Sequence, residues 1–145
     1  MSAGAELYQQ AIKDWAGADH GHGRLDPADA AARTDNPLCG DRVQVTLRLD
    51  AGRITAFAQE TRGCLLCRAA ASLLAQRAPG MDAAAAAAAS TALEELLAEG
   101  RDPPPAWQDL AMFAPARSYR SRHKCALLPF RALRQALEGV SHREQ

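Results

Sequence analysis

The sequence lacks an excess of charge of one sign, because Lys plus Arg and Asp plus Glu each number 17. This balance argues against a general nucleic-acid binder, which carries a basic excess. No run approaches the roughly 20 apolar residues that cross a bilayer. The first residues also lack the basic and apolar regions of a secretory signal. We therefore expect a cytoplasmic protein that binds neither nucleic acid nor a membrane.

Cysteine is also scarce, with four residues at positions 39, 64, 67 and 125. The repeated CxxC pairs of a zinc ribbon, which would identify a metal site by their spacing alone, are absent. Thiols stay reduced in the cytoplasm, so structural disulfides are the less favoured use of these residues. Metal binding or sulfur chemistry is the favoured one.

The sequence contains no internal repeat and no linker long enough to divide the chain. Its 145 residues are 48% hydrophobic, which is enough to bury a core and argues against disorder. We therefore expect one domain over residues 1–145, with its core at about residues 5–140. The segment at about residues 80–106 is rich in alanine and proline and is interpreted as an insertion.

Alternating apolar and polar residues over 43–49 predict a half-buried antiparallel strand. A turn at residues 50–52 and a second strand over 53–61 complete a β-hairpin. Residues 31–34 are a candidate for a further short strand. The remaining patterns predict helices at about residues 5–17, 64–78, 82–99, 107–113 and 118–138. This mixture of a small sheet and helices predicts a compact α+β fold.

Residues 36–41 (NPLCGD) place Cys39 and Asp41 two positions apart in a turn that contains Pro and Gly. Gly40 lets the backbone turn so that the thiol and the carboxylate face one centre. A turn with a capping aspartate and a free thiol would account for Asp41, but it gives no reason for Cys39. Both residues are therefore candidate metal ligands.

Cys64 lies at the predicted start of a helix, where the helix dipole stabilises a thiolate. Cys125 lies in residues 122–129 (RHKCALLP). There Pro129 either kinks a helix that begins near residue 118 or occupies the first turn of one that begins near 127. The alternative for both cysteines is a buried apolar role.

Three thiolates from Cys39, Cys64 and Cys125, with the carboxylate of Asp41, can close a four-coordinate site for zinc or an iron–sulfur cluster. As the hard oxygen ligand among soft thiolates, Asp41 is expected to be the most easily displaced. We place His123 below Asp41 as a ligand, because residues two apart on a helix point away from each other.

Other residues have two interpretations that the sequence leaves open. His20 and His22 could touch a metal or substrate, although a solvated loop is favoured. Cys67, one helical turn after Cys64, could be a second sulfur position or a small buried core residue. We favour the core interpretation for Cys67 and leave it out of the ligand set.

Three motifs together resemble the U-type iron–sulfur cluster assembly scaffold family, which comprises IscU, SufU and the N-terminal domain of NifU. They are NPLCGD at residues 36–41, Gly63-Cys64 opening an Ala/Ser-rich helix, and KCALLP at residues 124–129. The resemblance covers about residues 5–140. It implies a three-stranded antiparallel sheet with helices packed on one face, as in the SufE/NifU-like fold.

The resemblance also implies a function. Cys39, Asp41, Cys64 and Cys125 map onto the family's metal and cluster ligands, with Cys125 or Cys64 as a persulfide acceptor. The partners would be a cysteine desulfurase and client apo iron–sulfur proteins, and the occupant a transient [2Fe–2S] cluster or Zn²⁺. A scaffold or sulfur acceptor is favoured over an enzyme.

Two features resemble the SufU branch: the segment between Cys64 and Cys125, and Lys124, where IscU carries a histidine. Members of that branch bind zinc tightly and accept sulfur from the desulfurase. A zinc-dependent sulfurtransferase is therefore the main alternative to a scaffold, and a structural zinc module is the second alternative.

Overall fold

The computed structural model describes residues 9–38 and 40–144, and their side chains as far as residue 139. Its elements follow each other along the chain as a short helix, three strands, two helices, a 3₁₀ segment and a long last helix. In order these are α1 (Gln10–Ala18), β1 (Ala30–Asn36), β2 (Asp41–Asp50), β3 (Arg53–Arg62), α2 (Leu65–Arg77), α3 (Ala83–Glu99), η1 (Pro105–Ser118) and α4 (Arg120–Glu144).

The three strands form one antiparallel sheet in the order β1-β2-β3. Strand β1 pairs from Ala30 opposite Leu47 to Asn36 opposite Asp41, so Asp41 is held where β2 begins. Ala51 and Gly52 connect β2 to β3 with φ values of 51° and 81°, the left-handed backbone that tight hairpin turns require. The predicted hairpin and α+β class are confirmed, and β1 is longer than the predicted strand.

Helices α2 and α4 pack against the sheet. Val43, Val45 and Leu47 alternate along β2 and are completely buried, because every second side chain points to the same face of a strand. Thr46 lies between Val45 and Leu47 and points to the other face of β2. There the loop after α1 contacts the strand, because the backbone N–H of Leu25 donates to Thr46 Oγ1 at 3.0 Å. Because helices bury the apolar face of β2, the orientation of the sheet relative to the helices is fixed, and with it the position of Asp41 at the start of β2.

Two helices confirm the predictions closely. Helix α2 begins after Cys64, which is its N-cap residue. Asp82 caps α3, where its Oδ1 accepts a hydrogen bond from the N–H of Ala85 at 2.8 Å. The predicted helix over residues 5–17 is observed as Gln10–Ala18, and its first part falls among residues 1–8, which lie outside the described residues.

The last third of the chain corrects one prediction and confirms another. The predicted short helix over 107–113 is a 3₁₀ segment, Pro105–Ser118, because Pro115 lacks an N–H and Trp107 leaves the helical region at φ −125°. The last helix runs continuously from Arg120 to Glu144 with Pro129 inside it. The predicted helix that begins near residue 118 and contains Pro129 is therefore confirmed, and the alternative start near residue 127 is wrong. The helix also extends past its predicted end at residue 138.

Pro129 removes the hydrogen bond that would normally reach the carbonyl group of Cys125, four residues earlier. Helix α4 continues through this point because neighbouring groups hold it in place. The Thr34 hydroxyl of β1 donates to the carbonyl oxygen of Leu128 at 3.1 Å. Strand β1 is therefore tied to α4 one turn after Cys125. No helix in the described part of the chain is long and apolar enough to cross a bilayer.

Two completely buried serines differ in their hydrogen bonding, which predicts opposite effects on stability. Ser72 Oγ accepts a hydrogen bond from the N–H of His20 at 2.9 Å, whereas Ser90 Oγ has no partner among the described residues. Ser72→Ala should lower the free energy of unfolding by about 1–3 kcal/mol, because it leaves a donor unpaired. Ser90→Ala should leave it unchanged or raise it by up to about 1 kcal/mol.

Urea denaturation of both variants at equal metal loading measures this difference. Each variant is the control for the other, because both replace a buried helical serine with alanine. Equal destabilisation by the two substitutions would contradict the prediction.

Candidate metal centre

Three of the four predicted ligands come together in the structure. Asp41 begins β2, Cys64 is the N-cap of α2 and Cys125 lies in α4. One ligand atom from each residue lies within 4.8 Å of the other two. The ligands of a single tetrahedral zinc ion are about 3.5–4 Å apart, so small side-chain adjustments would bring these three atoms around one ion. Cys39 lies outside the described residues, and its place as fourth ligand stays a prediction.

The turn that carries Asp41 is closed by backbone hydrogen bonding. The N–H of Gly40 donates to the carbonyl oxygen of Asn36 at 2.8 Å. Gly40 has a φ of 74°, which glycine adopts without the steric cost that a Cβ atom would bring. This closed turn fixes the first residue of β2, and so the carboxylate of Asp41 points toward the start of α2.

The carboxylate of Asp41 is almost completely buried, with 3% of the residue exposed. Its Oδ1 accepts a hydrogen bond from the N–H of Cys64 at 3.2 Å. Its Oδ2 is buried without a hydrogen-bond partner in the described part of the chain. A buried carboxylate oxygen that lacks a donor is costly, and a cation bound between it and the two sulfur atoms would remove that cost. The residues present therefore fit a thiophilic metal ion.

Gly63 provides the space for that carboxylate. A Cβ atom on Gly63 would lie 2.6 Å from Oδ1 and 2.9 Å from Cγ of Asp41, which is closer than non-bonded atoms approach. In the sequence, Gly63 is visible only as part of a motif, and its role in clearing space for Asp41 is not. The available signal was a glycine between the end of a strand and the N-cap of a helix.

The two thiols have opposite electrostatic environments. A hydrogen bond from Cys125 lowers the pKa of Cys64 to about 6, and the N–H groups of Cys67 and Leu66 also lower it, against the effects of burial and of Asp41. The pKa of Cys125 is raised because its thiol is held by the Cys64 sulfur, is buried and lies beside Asp41. Without metal, the pair therefore holds one thiolate and one thiol, and metal binding would release the remaining proton.

This difference predicts which thiol reacts first in metal-free protein. Iodoacetamide should alkylate Cys64 at least about tenfold faster than Cys125 at pH 7, because the thiolate is the nucleophile and Cys125 has no exposed surface. The rate at Cys64 should rise with pH through about pH 6, where its thiol ionises, and then level off.

Peptide mapping by mass spectrometry distinguishes the cysteines. Cys125→Ala is the matched control: it removes the main cause of the low pKa, so its rate profile at Cys64 should shift to higher pH. An unshifted profile, or faster reaction at Cys125, would contradict this assignment.

The histidines lie apart from the ligand cluster. The Nε2 atom of His123 is hydrogen-bonded to the carbonyl oxygen of Arg117 at 2.9 Å. The ring of His20 packs edge-on against Trp15, and His22 pairs with Asp19 at 3.1 Å. Within the described residues, none of the three joins the group of potential ligands.

Cys67 is completely buried and belongs to the hydrophobic core. Its backbone N–H is hydrogen-bonded to the sulfur of Cys64, so its main chain supports the site while its side chain is buried in the core. This placement agrees with the favoured interpretation of Cys67 as a core residue.

The profile of the family described as "NifU-like N terminal domain" matches residues 7–126 of this chain. The chain belongs to that family. The resemblance that the three motifs indicate is thus confirmed at the level of the family, and the matched range includes Cys39, Asp41, Cys64 and Cys125.

Curated relatives extend over most of this NifU-like chain. The iron–sulfur cluster assembly scaffold protein IscU of Streptococcus pyogenes serotype M1 is 28% identical over 135 residues, which cover 91% of this chain and 83% of that protein. The zinc-dependent sulfurtransferase SufU of Bacillus subtilis strain 168 is 28% identical over 140 residues, which cover 95% of this chain and 92% of that protein.

Solved structures share the fold. A NifU-like protein (N-terminal) from Brucella abortus superposes with a TM-score of 0.93 at 31% identity, and the match covers 98% of this chain and 99% of that one. A SUF-system scaffold, described as putative, from Fervidobacterium islandicum AW-1 has a TM-score of 0.83 at 24% identity, covering 90% of this chain and 96% of that one. The three-stranded sheet with helices is therefore the fold of NifU-like structures.

Proposed function

We propose that this protein is an iron–sulfur cluster assembly scaffold that holds metal between Asp41, Cys64 and Cys125, with Cys39 as the fourth ligand. The observation that carries the proposal is the meeting of two thiols with a buried carboxylate oxygen that has no hydrogen-bond partner among the described residues. These groups come from β2, α2 and α4, which are far apart in the sequence. Residues 1–145 would act as a single domain of the NifU-like type.

The proposed partners are a cysteine desulfurase, which supplies sulfur, and client apo iron–sulfur proteins, which receive the assembled [2Fe–2S] cluster. The proposed setting is the cytoplasm, where the thiols stay reduced. In this role the cluster is cargo, and the protein contributes a soft ligand set with one oxygen ligand.

A zinc-dependent sulfurtransferase is the second candidate, and the similarity to SufU of Bacillus subtilis over 95% of this chain supports it. In that role a thiolate of this chain attacks the outer sulfur of the persulfide on the desulfurase. A new S–S bond forms, the old one breaks, and the desulfurase cysteine leaves as its thiolate. Cys64 is the better placed acceptor of the two described candidates, because it is half-buried while Cys125 is completely buried.

Anaerobic purification followed by metal and sulfide analysis tests the proposal. A scaffold is expected to yield brown protein that contains iron and sulfide after reconstitution with a desulfurase and cysteine. Colourless protein with about one zinc that stimulates the desulfurase would favour the sulfurtransferase. Zinc without any effect on the desulfurase would leave a structural zinc module and contradict both.

The carboxylate of Asp41 should determine how fast a bound metal or cluster leaves the site. Asp41→Ala should retain the metal or cluster longer than the parent protein, because the hard carboxylate is the ligand most readily displaced among soft thiolates. The half-life of the bound species under a competing chelator measures this. Asp35→Ala, at an exposed carboxylate of β1 that pairs with Arg42, is the control, and faster loss from Asp41→Ala would contradict the prediction.

A further inference from the structure

A groove with a volume of about 500 Å³ lies between the C-terminal half of α3 and the helix α4. Leu97 and Ala98 of α3 and Leu127 of α4 give it an apolar floor. Every ionisable side chain that lines it is basic, namely Arg117, Arg120, His123, Lys124 and Arg131. We call this surface the basic groove. In a chain with no net charge, three arginines and a lysine without a carboxylate among the lining residues form a local positive field.

The cations of the basic groove lack carboxylate partners among the described residues. Arg117, Arg120, Lys124 and Arg131 form no ion pair with any described residue. Other arginines of the chain do pair with carboxylates at 4 Å or less: Arg24, Arg33, Arg42, Arg77 and Arg101. Glu94, one turn before Leu97 on α3, lies outside the residues that line the groove. Five arginines outside the groove also form no ion pair with a described residue, namely Arg48, Arg53, Arg62, Arg68 and Arg134. The groove is distinguished by four such cations on one surface with no carboxylate among its lining residues.

The cations extend along one face of α4. Arg120, Lys124, Leu127 and Arg131 recur at spacings of three or four residues, which places them on the same side of a helix. From Arg120 to Arg131 the face is about 16 Å long at 1.5 Å per residue.

The opposite side of α4 packs against β1 and β2, and there Cys125 is buried beside Asp41. A molecule in the basic groove would therefore leave the ligand cluster uncovered.

These features select the occupant. A single phosphate group needs cations that converge on one point, whereas these are distributed along a helix face. Nucleic acid is favoured by a basic domain, and this chain is neutral overall. An extended acidic peptide of about five residues spans 16 Å. Its carboxylates match the planar guanidinium groups of arginine, and its apolar side chains match the floor. We propose that the basic groove binds an acidic segment of a partner protein.

A labelled peptide tests this on the zinc-loaded protein. A fluorescein-labelled octapeptide of Glu, Asp and Leu should bind saturably at low salt, as measured by fluorescence anisotropy, and should weaken as salt rises. Arg120→Glu combined with Arg131→Glu should weaken binding by about tenfold or more, because two attractions become repulsions. Backbone amide shifts on peptide addition should concentrate at residues 97–98 and 117–131.

The matched control is Arg24→Glu combined with Arg33→Glu, which changes the net charge equally at exposed positions elsewhere. It should change peptide affinity by less than about twofold. Circular dichroism and zinc content should match the parent in both double variants, which separates lost binding from lost folding or lost metal.

Several results would overturn the proposal: no saturable binding by the parent up to about 1 mM peptide, or equal weakening in both double variants. Displacement of the peptide by inorganic pyrophosphate at lower concentrations than by unlabelled peptide would identify a phosphate site instead. Sedimentation with anionic vesicles that only the groove variant loses would identify a membrane surface. None of these outcomes depends on whether the protein carries a cluster or zinc.

Discussion

Replacing Cys125 with Ala should abolish stoichiometric metal binding, whereas replacing Cys67 with Ala should leave it intact. Both cysteines are completely buried, so the two substitutions remove similar apolar volume from the core. Only Cys125 places its sulfur within 4.8 Å of the ligand atoms of Asp41 and Cys64. Loss of this thiolate ligand should weaken zinc binding by more than about 100-fold, which exceeds the effect of removing a supporting group near a metal.

Chelator competition measures the affinity, and metal analysis of the purified protein measures the stoichiometry. Persulfide formation with a cysteine desulfurase should follow the same order, with Cys67→Ala equal to the parent. A clear drop in metal content or persulfide in Cys67→Ala, with the fold intact, would show that Cys67 acts as a second sulfur position. Normal zinc affinity in Cys125→Ala would remove the central proposal about the site.

Gly63→Ala should damage both the metal centre and the stability of the fold. The added Cβ would lie 2.6 Å from Asp41 Oδ1, so either the carboxylate or the β3–α2 junction must move. Overpacking of this kind costs about 1–3 kcal/mol of the free energy of unfolding. Movement of the junction would also displace Cys64, the thiolate ligand next to Gly63 at the N-cap of α2, so zinc affinity should fall by about tenfold or more.

The control is Gly17→Ala in α1, because a Cβ on Gly17 would meet no atom within 4 Å. That substitution should stabilise the protein by about 0.5–1 kcal/mol, since alanine is the better helix former. Urea denaturation with and without zinc separates the two effects of Gly63→Ala. Parent-like stability together with parent-like zinc affinity would show that the junction relaxes without moving Cys64, contrary to our prediction.

Local patterns in the sequence were sufficient for the β-hairpin, for the start of α2 at Cys64 and for the cap at Asp82. In each case one short segment carries the physical cause: alternation along a strand, a helix N-terminus, or a side chain that accepts from a backbone N–H three residues later. The last third of the chain was predicted less well. Whether α4 continues through Pro129 depends on contacts with β1, such as the bond from Thr34 to Leu128.

The candidate ligands were also visible in the sequence. The chain has only four cysteines, and two of them lie next to glycine; one of these, Cys39, is two residues from Asp41. Their meeting point was not visible from the residues alone. The antiparallel pairing of β2 with β3 places the end of β3 beside the start of β2, and this brings Cys64 close to Asp41. Cys125 reaches them only because α4 packs across β1 and β2.

The sequence by itself therefore determined the fold class, the family-type motifs and the candidate metal ligands. The tertiary structure decided what depends on contacts between distant segments. These are the burial of Asp41 Oδ2 without a partner among the described residues, the clearance that Gly63 provides, the burial of Cys67 and the basic groove between α3 and α4. The physical reason is that burial, steric clearance and local field arise from atoms far apart in the chain, which no short segment specifies.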